Sequence, residues 1–302
     1  MRRGNGQGKY YGFALITVLL WSTAAPAVKS LTGGMASLCV LGWSSLFASA
    51  FLFLLLCLRG QAGSLRRYGP GEYGALILLG FVGMFLYSAL YYFGIDRLSA
   101  QKACILNYLW PVMIVLFSCL ILKEPFTARK GAAIGLSFSG VLVIALWELS
   151  VSGGFSGDWP GIAACLLAAL CYGLFCVVNK RLDLDQSIGM AVFWAVACVG
   201  AFLLCLVRGE LTLPSLPQAA AMVWLGVAVH GLPYLLWAVA LNGVSNTARI
   251  ANLAYLTPIL TVLLSSLTLR ERLSPAYLAA LLLILAGILI QNLGDGSARS
   301  RS

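Results

Sequence analysis

Charge is what this chain has least of. Of its 302 residues only 10% are charged, while 61% are apolar. An average soluble domain carries about 25% charged residues. A soluble fold of this length could not hide so much apolar surface in one core, so the bilayer is the natural solvent. Histidine is scarcer still, with one copy at His230. A single histidine excludes a histidine cluster. Paired carboxylates, G-x-S-x-G and a glycine-rich phosphate loop are also missing, so no catalytic residue, metal site or cofactor is expected. The nine cysteines form no C-x-x-C pair and all lie within apolar runs, where they act as small apolar fillers. The first apolar run follows Arg2, Arg3 and Lys9 and ends at Lys29 without an A-x-A site. It is expected to be a membrane helix, not a cleaved leader. The net charge of +10 would suit nucleic acid only as a basic patch, and these residues are scattered through short loops.

Long apolar runs are what the chain has instead. A spanning helix needs roughly 20 mostly apolar residues. Ten such runs lie near residues 11–28, 35–58, 73–94, 100–122, 130–147, 159–178, 188–207, 219–241, 248–269 and 275–289. Loop charge orients them. With the amino terminus in the cytoplasm, fourteen basic residues fall inside and six outside. Both termini are therefore expected in the cytoplasm. Residues 294–302 are polar and are expected to form a disordered cytoplasmic tail.

The two halves resemble each other. Around run 4 the chain has Tyr108, Pro111, Ser118, Lys123, Glu124 and Gly140; around run 9 it has Tyr255, Pro258, Ser265, Arg270, Glu271 and Gly287. Every pair is 147 residues apart. Five runs per half is an odd number, so the second half enters the membrane from the opposite side. The fold class expected is an all-α polytopic membrane protein of ten transmembrane helices, built as two inverted five-helix repeats, 1–150 and 151–293. Inverted repeats give a transporter two related states around a site near the midplane.

Candidate functional residues sit inside the runs. Pro26, Pro111, Pro233 and Pro258 each remove a backbone hydrogen bond and free a carbonyl. They act either as structural kinks or as flexures lining a cavity, and the matched pair Pro111 and Pro258 is the gating candidate. Trp21, Tyr87, Tyr91, Tyr92, Tyr108, Trp110, Tyr172, Tyr234, Trp237 and Tyr255 are aromatic groups away from an interface belt. They serve core packing or a cavity that stacks on an organic solute. Asn107, Asn179 and Asn252 supply amides that need partners in hydrocarbon, as interhelical glue or as ligand contacts. His230, three residues before Pro233, is a site hypothesis because it is ionisable inside the membrane. Lys102 and Arg249 open runs 4 and 9, where they snorkel to the interface or meet a substrate carboxylate. Glu124 and Glu271 read as caps or salt-bridge partners. Gly131, Gly135 and Ser139 form a small-residue face on which a neighbouring helix should approach closely.

Taken together, these strings resemble the drug/metabolite transporter superfamily, bacterial EamA type, over nearly the whole chain. The carriers are Leu20-Trp21-Ser22-Thr23, the stretch from Asn107 through Glu124 to Gly140, and its repeat from Tyr255 to Gly287. The strings from Asn107 to Pro111 and from Cys176 to Lys180 are similar to those of aromatic amino acid exporters within it. The resemblance implies a central cavity lined by helices 1, 3, 4, 6, 8 and 9, and hence substrate contacts from Trp21, Tyr87, Tyr91, Asn107, Trp110, Tyr172, Asn179, His230, Tyr234, Trp237 and Tyr255. It implies a multi-pass inner-membrane exporter of amino acids or related metabolites. No carboxylate lies in a helix core, so proton coupling would need His230, and uniport or exchange stays open. A membrane enzyme or assembly factor is the alternative function. A channel would want a helix polar along one face, and none is. The expected partners are a small-molecule substrate and the lipid bilayer, with the chain as a monomer.

Overall fold

The computed structural model describes residues 8–152, 159–182, 185–244, 250 and 253–298. These residues are helical and contain no strand. We number the helices α1 (Gly8–Thr32), α2 (Ser37–Leu58), α3 (Pro70–Arg97), α4 (Ala100–Ile121), α5 (Ala128–Ser152), α6 (Trp159–Arg181), α7 (Gln186–Arg208), α8 (Leu216–Asn242), α9 (Leu256–Leu269) and α10 (Pro275–Ala298). Eight of them, α1 to α8, are long and apolar enough to cross a membrane; α9 and the Pro275–Ile290 part of α10 are shorter apolar helices. Lipid offers backbone groups no hydrogen bond, so the helix is the form in which such runs satisfy themselves.

The ends of these helices follow local chemistry. Glu72 accepts from the Gly69 amide at 2.7 Å and Pro70 opens α3. Asp185 accepts from the Ser187 and Ile188 amides at the start of α7. Past the ends of α2 and α7, Gly60 and Gly209 take φ of +68° and +66°. That left-handed turn is cheap for glycine and closes a helix.

Several helices are broken in mid-course, and a proline follows each break closely. In α1 a turn at Thr23 precedes Pro26, and in α4 the turn at Tyr108 and Leu109 precedes Pro111. Ala254 and Tyr255 turn before Pro258, and Pro233 opens the last segment of α8. The first turn of a helix needs no donor from its own amides, so proline is tolerated there. The wider π-helical turn appears in α3 (Phe81–Leu86) and in α8 (Trp224–Gly231), the two helices matched between the halves.

The most extensive packing pairs α5 with α10 and α2 with α7; α1 lies against the second half of α8, and α6 against the second half of α3. In the α5–α10 pair, a Cβ on Gly140 would meet the Ala280 carbonyl at 2.8 Å, and one on Gly287 would meet the Ala133 carbonyl at 2.6 Å. Ser137 Oγ donates to the Ile284 carbonyl at 3.4 Å across the same seam. Close approach over small residues is how membrane helices gain packing energy.

Three expectations are corrected here. The seam on α5 is Ala133, Ser137 and Gly140, while Gly135 is exposed with no atom within 4 Å of its Cβ position. The small-residue face at Gly131, Gly135 and Ser139 is therefore not the packed one. Helix α10 runs to Ala298, so residues 294–298 are helical and not an irregular tail; 299–302 lie outside the described residues. Lys102 does not snorkel to water: it is 2% exposed, held by the packing around the start of α4. Its match Arg249 lies outside the described residues, as does Asn252.

Candidate functional site

A cavity of about 380 Å³ occupies the middle of the bundle. Helix α1 contributes Trp21, α3 contributes Tyr87, Tyr91 and Tyr92, and α4 contributes Asn107, Tyr108 and Trp110. From the other half come Tyr172 on α6, His230, Tyr234 and Trp237 on α8, and Thr257 and Thr261 on α9. Helix α7 adds Trp194. Among the described residues no Asp, Glu, Lys or Arg lines the cavity.

The rings form two linked clusters. On one side Tyr172 lies 4.7 Å from Tyr87 and 5.4 Å from Trp110, edge to face with the latter. On the other, Trp21 lies 5.9 Å from Tyr234 and 5.3 Å from Trp237. Offset and edge-on aromatic pairs add about 0.5–1.5 kcal/mol beyond burial, so the walls are stiff. Polar tips punctuate them. Asn107 Nδ2 donates to the Tyr87 hydroxyl at 3.2 Å. The Tyr92 hydroxyl and His230 Nε2 are 2.9 Å apart, and the Trp194 ring stacks on His230 at 4.2 Å. His230 is thus wedged between a phenol and an indole, within the π-helical turn of α8.

The broken helices tie the site together. Pro26 has no N–H to give the Ser22 carbonyl, and that carbonyl accepts from Thr261 Oγ1 at 3.1 Å. Pro258 likewise spares the Ala254 carbonyl, which accepts from the Tyr108 hydroxyl at 2.5 Å. At both of these prolines the spared carbonyl takes a side chain from a different helix, and both donors, Thr261 and Tyr108, also line the cavity.

A second cavity of about 470 Å³ shares Tyr172, Cys176 and Tyr234 with the first. It runs to Arg59 after α2, Lys180 at the end of α6 and Gln186 at the start of α7. Asn179 lines it and donates through Nδ2 to Gln186 Oε1 at 2.9 Å. The two cavities adjoin at Tyr172, Cys176 and Tyr234, and the second forms a passage to one end of the bundle.

Of the residues singled out from sequence, Trp21, Tyr87, Tyr91, Asn107, Trp110, Tyr172, His230, Tyr234 and Trp237 meet around the central chamber. Asn179 stands instead in the passage. Tyr255 borders neither cavity and packs half-buried against the core. Pro111 and Pro258 are buried behind the lining. Trp194 is absent from the sequence candidates, and with it the whole of helix 7. It is 2% exposed and its stacking partner is 36 residues away, so only a tryptophan inside an apolar run could have flagged it.

The EamA-like transporter family signature matches residues 8–146 and 159–293. A Streptantibioticus cattleyicolor protein described as "Probable terminal-alkyne amino-acid exporter" is 28% identical over 285 residues, covering 92% of this chain and 91% of that protein. The "Aromatic amino acid exporter YddG" of Ancylobacter novellus is 26% identical over 250 residues, 82% of this chain and 84% of its own. The "S-adenosylmethionine/S-adenosylhomocysteine transporter" of Chlamydia trachomatis is 30% identical over 202 residues, 65% of this chain and 60% of that one. A solved crystal structure of a protein 24% identical superposes with a TM-score of 0.65 over 95% of this chain and 97% of its own, a likeness of fold.

Proposed function

This chain belongs to the EamA-like transporter family, a multi-pass membrane protein, and from that premise we propose that it exports amino acids, aromatic or neutral, or closely related metabolites. The central chamber carries the proposal. Its volume of about 380 Å³ falls in the range of about 300–1,000 Å³ usual for small-ligand sites. Flat aromatic faces suit an apolar or aromatic body, and the tips of Asn107, Tyr92 and His230 suit a small polar head. Relatives named as amino-acid exporters support that substrate class.

The mechanism proposed is alternating access between two inverted repeats, 1–150 and 151–293, in ten spans with both termini in the cytoplasm. The pairings α5 with α10 and α2 with α7 support it, since each joins helices matched between the halves. On this orientation the passage to Arg59 and Lys180 opens inward. Exporters load from that side. The breaks before Pro111 and Pro258 are the proposed flexures. Among the described residues the lining holds no carboxylate, which leaves His230 as the ionisable group of the chamber.

Efflux from proteoliposomes tests the proposal. Vesicles loaded with labelled tryptophan, phenylalanine, leucine or glutamate should lose the neutral and aromatic solutes faster than protein-free vesicles. Equal leakage of every solute with and without protein rejects it.

A further inference from the structure

Two acids follow the matched helices, Glu124 after α4 and Glu271 after α9. Each comes directly after a residue in the left-handed region, Lys123 at φ 56° and Arg270 at φ 55°. That turn ends the helix and sends the acid back toward the bundle. Glu271 reaches across to the other half. Its Oε1 accepts from the Ala100 amide at 2.7 Å and its Oε2 from the Gln101 amide at 3.1 Å. Gln101 Nε2 returns a bond to the Glu271 carbonyl at 3.2 Å. Glu124 pairs with Lys130 Nζ at 3.0 Å; the matching start of the ninth span, residues 245–249, lies outside the described residues. The position matching Lys130 is Tyr277, which offers no ammonium to hold Glu271 back.

The first amides of a helix carry partial positive charge and lack partners within it. A carboxylate that takes two of them makes charge-assisted bonds. Here those bonds join α9 to α4 at the end of the bundle opposite the passage past Arg59 and Lys180. At that end all residues of Ala100–Asn107 are buried, Gln101 completely. At the same end Lys29 Nζ donates to the Asp96 carbonyl at 2.7 Å, closing α1 on α3.

We propose that Glu271 is the gating residue of this end. Its carboxylate clamps the start of α4 to the end of α9 while the opposite mouth is open, and release of the two amides admits the reverse state. The inference rests on the alternating-access mechanism proposed above.

Distance measurements on the full-length protein in nanodiscs test it without any substrate. Spin labels at Asp96→Cys and Leu273→Cys report the clamped end; labels at Arg59→Cys and Lys180→Cys report the open mouth. Glu271→Gln should raise the ratio of long to short distances at the clamped end by roughly tenfold, the scale of a lost hydrogen bond to a charged group. The open mouth should narrow in step, which mere loosening of the fold would not do. Glu124→Gln should leave the clamped end unchanged. If Glu271→Gln fails to fold, Gln101→Ala should give a smaller shift in the same direction. Superimposable distributions for parent and variant, or an equal effect from Glu124→Gln, overturn the gate. An unchanged distance distribution with efflux intact removes the gate alone; a shifted distribution with no solute effluxed by the parent removes the substrate assignment alone.

Discussion

Helices α4 and α9 carry the same device 147 residues apart, a break, a proline and an acid, yet they sit in different surroundings. Leu109 and Val112 of α4 are 0% and 1% exposed; their matches Leu256 and Ile259 on α9 are 39% and 38% exposed. Farther along, Leu120 and Leu267 agree, both facing outward. Matched positions thus lie in unlike environments, which the alternating-access mechanism proposed above assigns to conformation. Under alternating access the opposite state exchanges the two environments. Among the described residues Glu271 is bound to the start of α4 and Glu124 to Lys130.

The largest expected effect comes from pushing the halves apart where they touch most closely. Gly140→Ala and Gly287→Ala place a methyl against backbone carbonyls, and overpacking of this kind costs about 1–3 kcal/mol. Gly135→Ala, one face away, meets nothing and should leave thermal unfolding in detergent unchanged. Equal stability for all three would dissolve the distinction between the two faces of α5.

A middle-sized effect is expected at the breaks. Pro111→Ala and Pro258→Ala restore donors where the chain turns, so each should keep expression and slow efflux roughly tenfold, about 1.4 kcal/mol of barrier. Wild-type flux in both variants would reduce the matched prolines to kinks. The smallest effect is expected from Tyr108→Phe, which removes the hydroxyl bound to the Ala254 carbonyl. Interhelical hydrogen bonds in membranes average about 0.6 kcal/mol. A loss several times larger in unfolding titrations would mean that this link between α4 and α9 is a main support of the bundle.

Much of this architecture is legible without coordinates, because a backbone in hydrocarbon must satisfy itself and so writes each span as an apolar run. The 147-residue repeat and the cavity aromatics on α1, α3, α4, α6 and α8 follow from residue type and spacing. What stays hidden depends on contacts between distant segments. Trp194 looks like any apolar residue of its run until His230 stacks on it. The G-x-x-x-G spacing at Gly131 and Gly135 announces a smooth face but not whether a neighbour covers it. Lys102 reads as an interfacial cation because its burial is imposed by the packing around the start of α4. The π-helical turns at Phe81–Leu86 and Trp224–Gly231 leave no mark in hydropathy.

The central claim is that one aromatic chamber with few polar tips receives the solute. Its most direct test is the half-saturating concentration of exported solute in proteoliposomes for three single variants. Asn107→Ala removes a polar tip and Trp237→Ala removes a wall, so each should weaken substrate binding by about 1–3 kcal/mol, roughly a five- to 150-fold rise in half-saturation. Trp159→Ala, at the start of α6 and outside both cavities, should stay within about twofold of the parent, since the residue stands at a span end where aromatic anchors gather. Folded, membrane-inserted variants that all match the parent would contradict the chamber as the binding site.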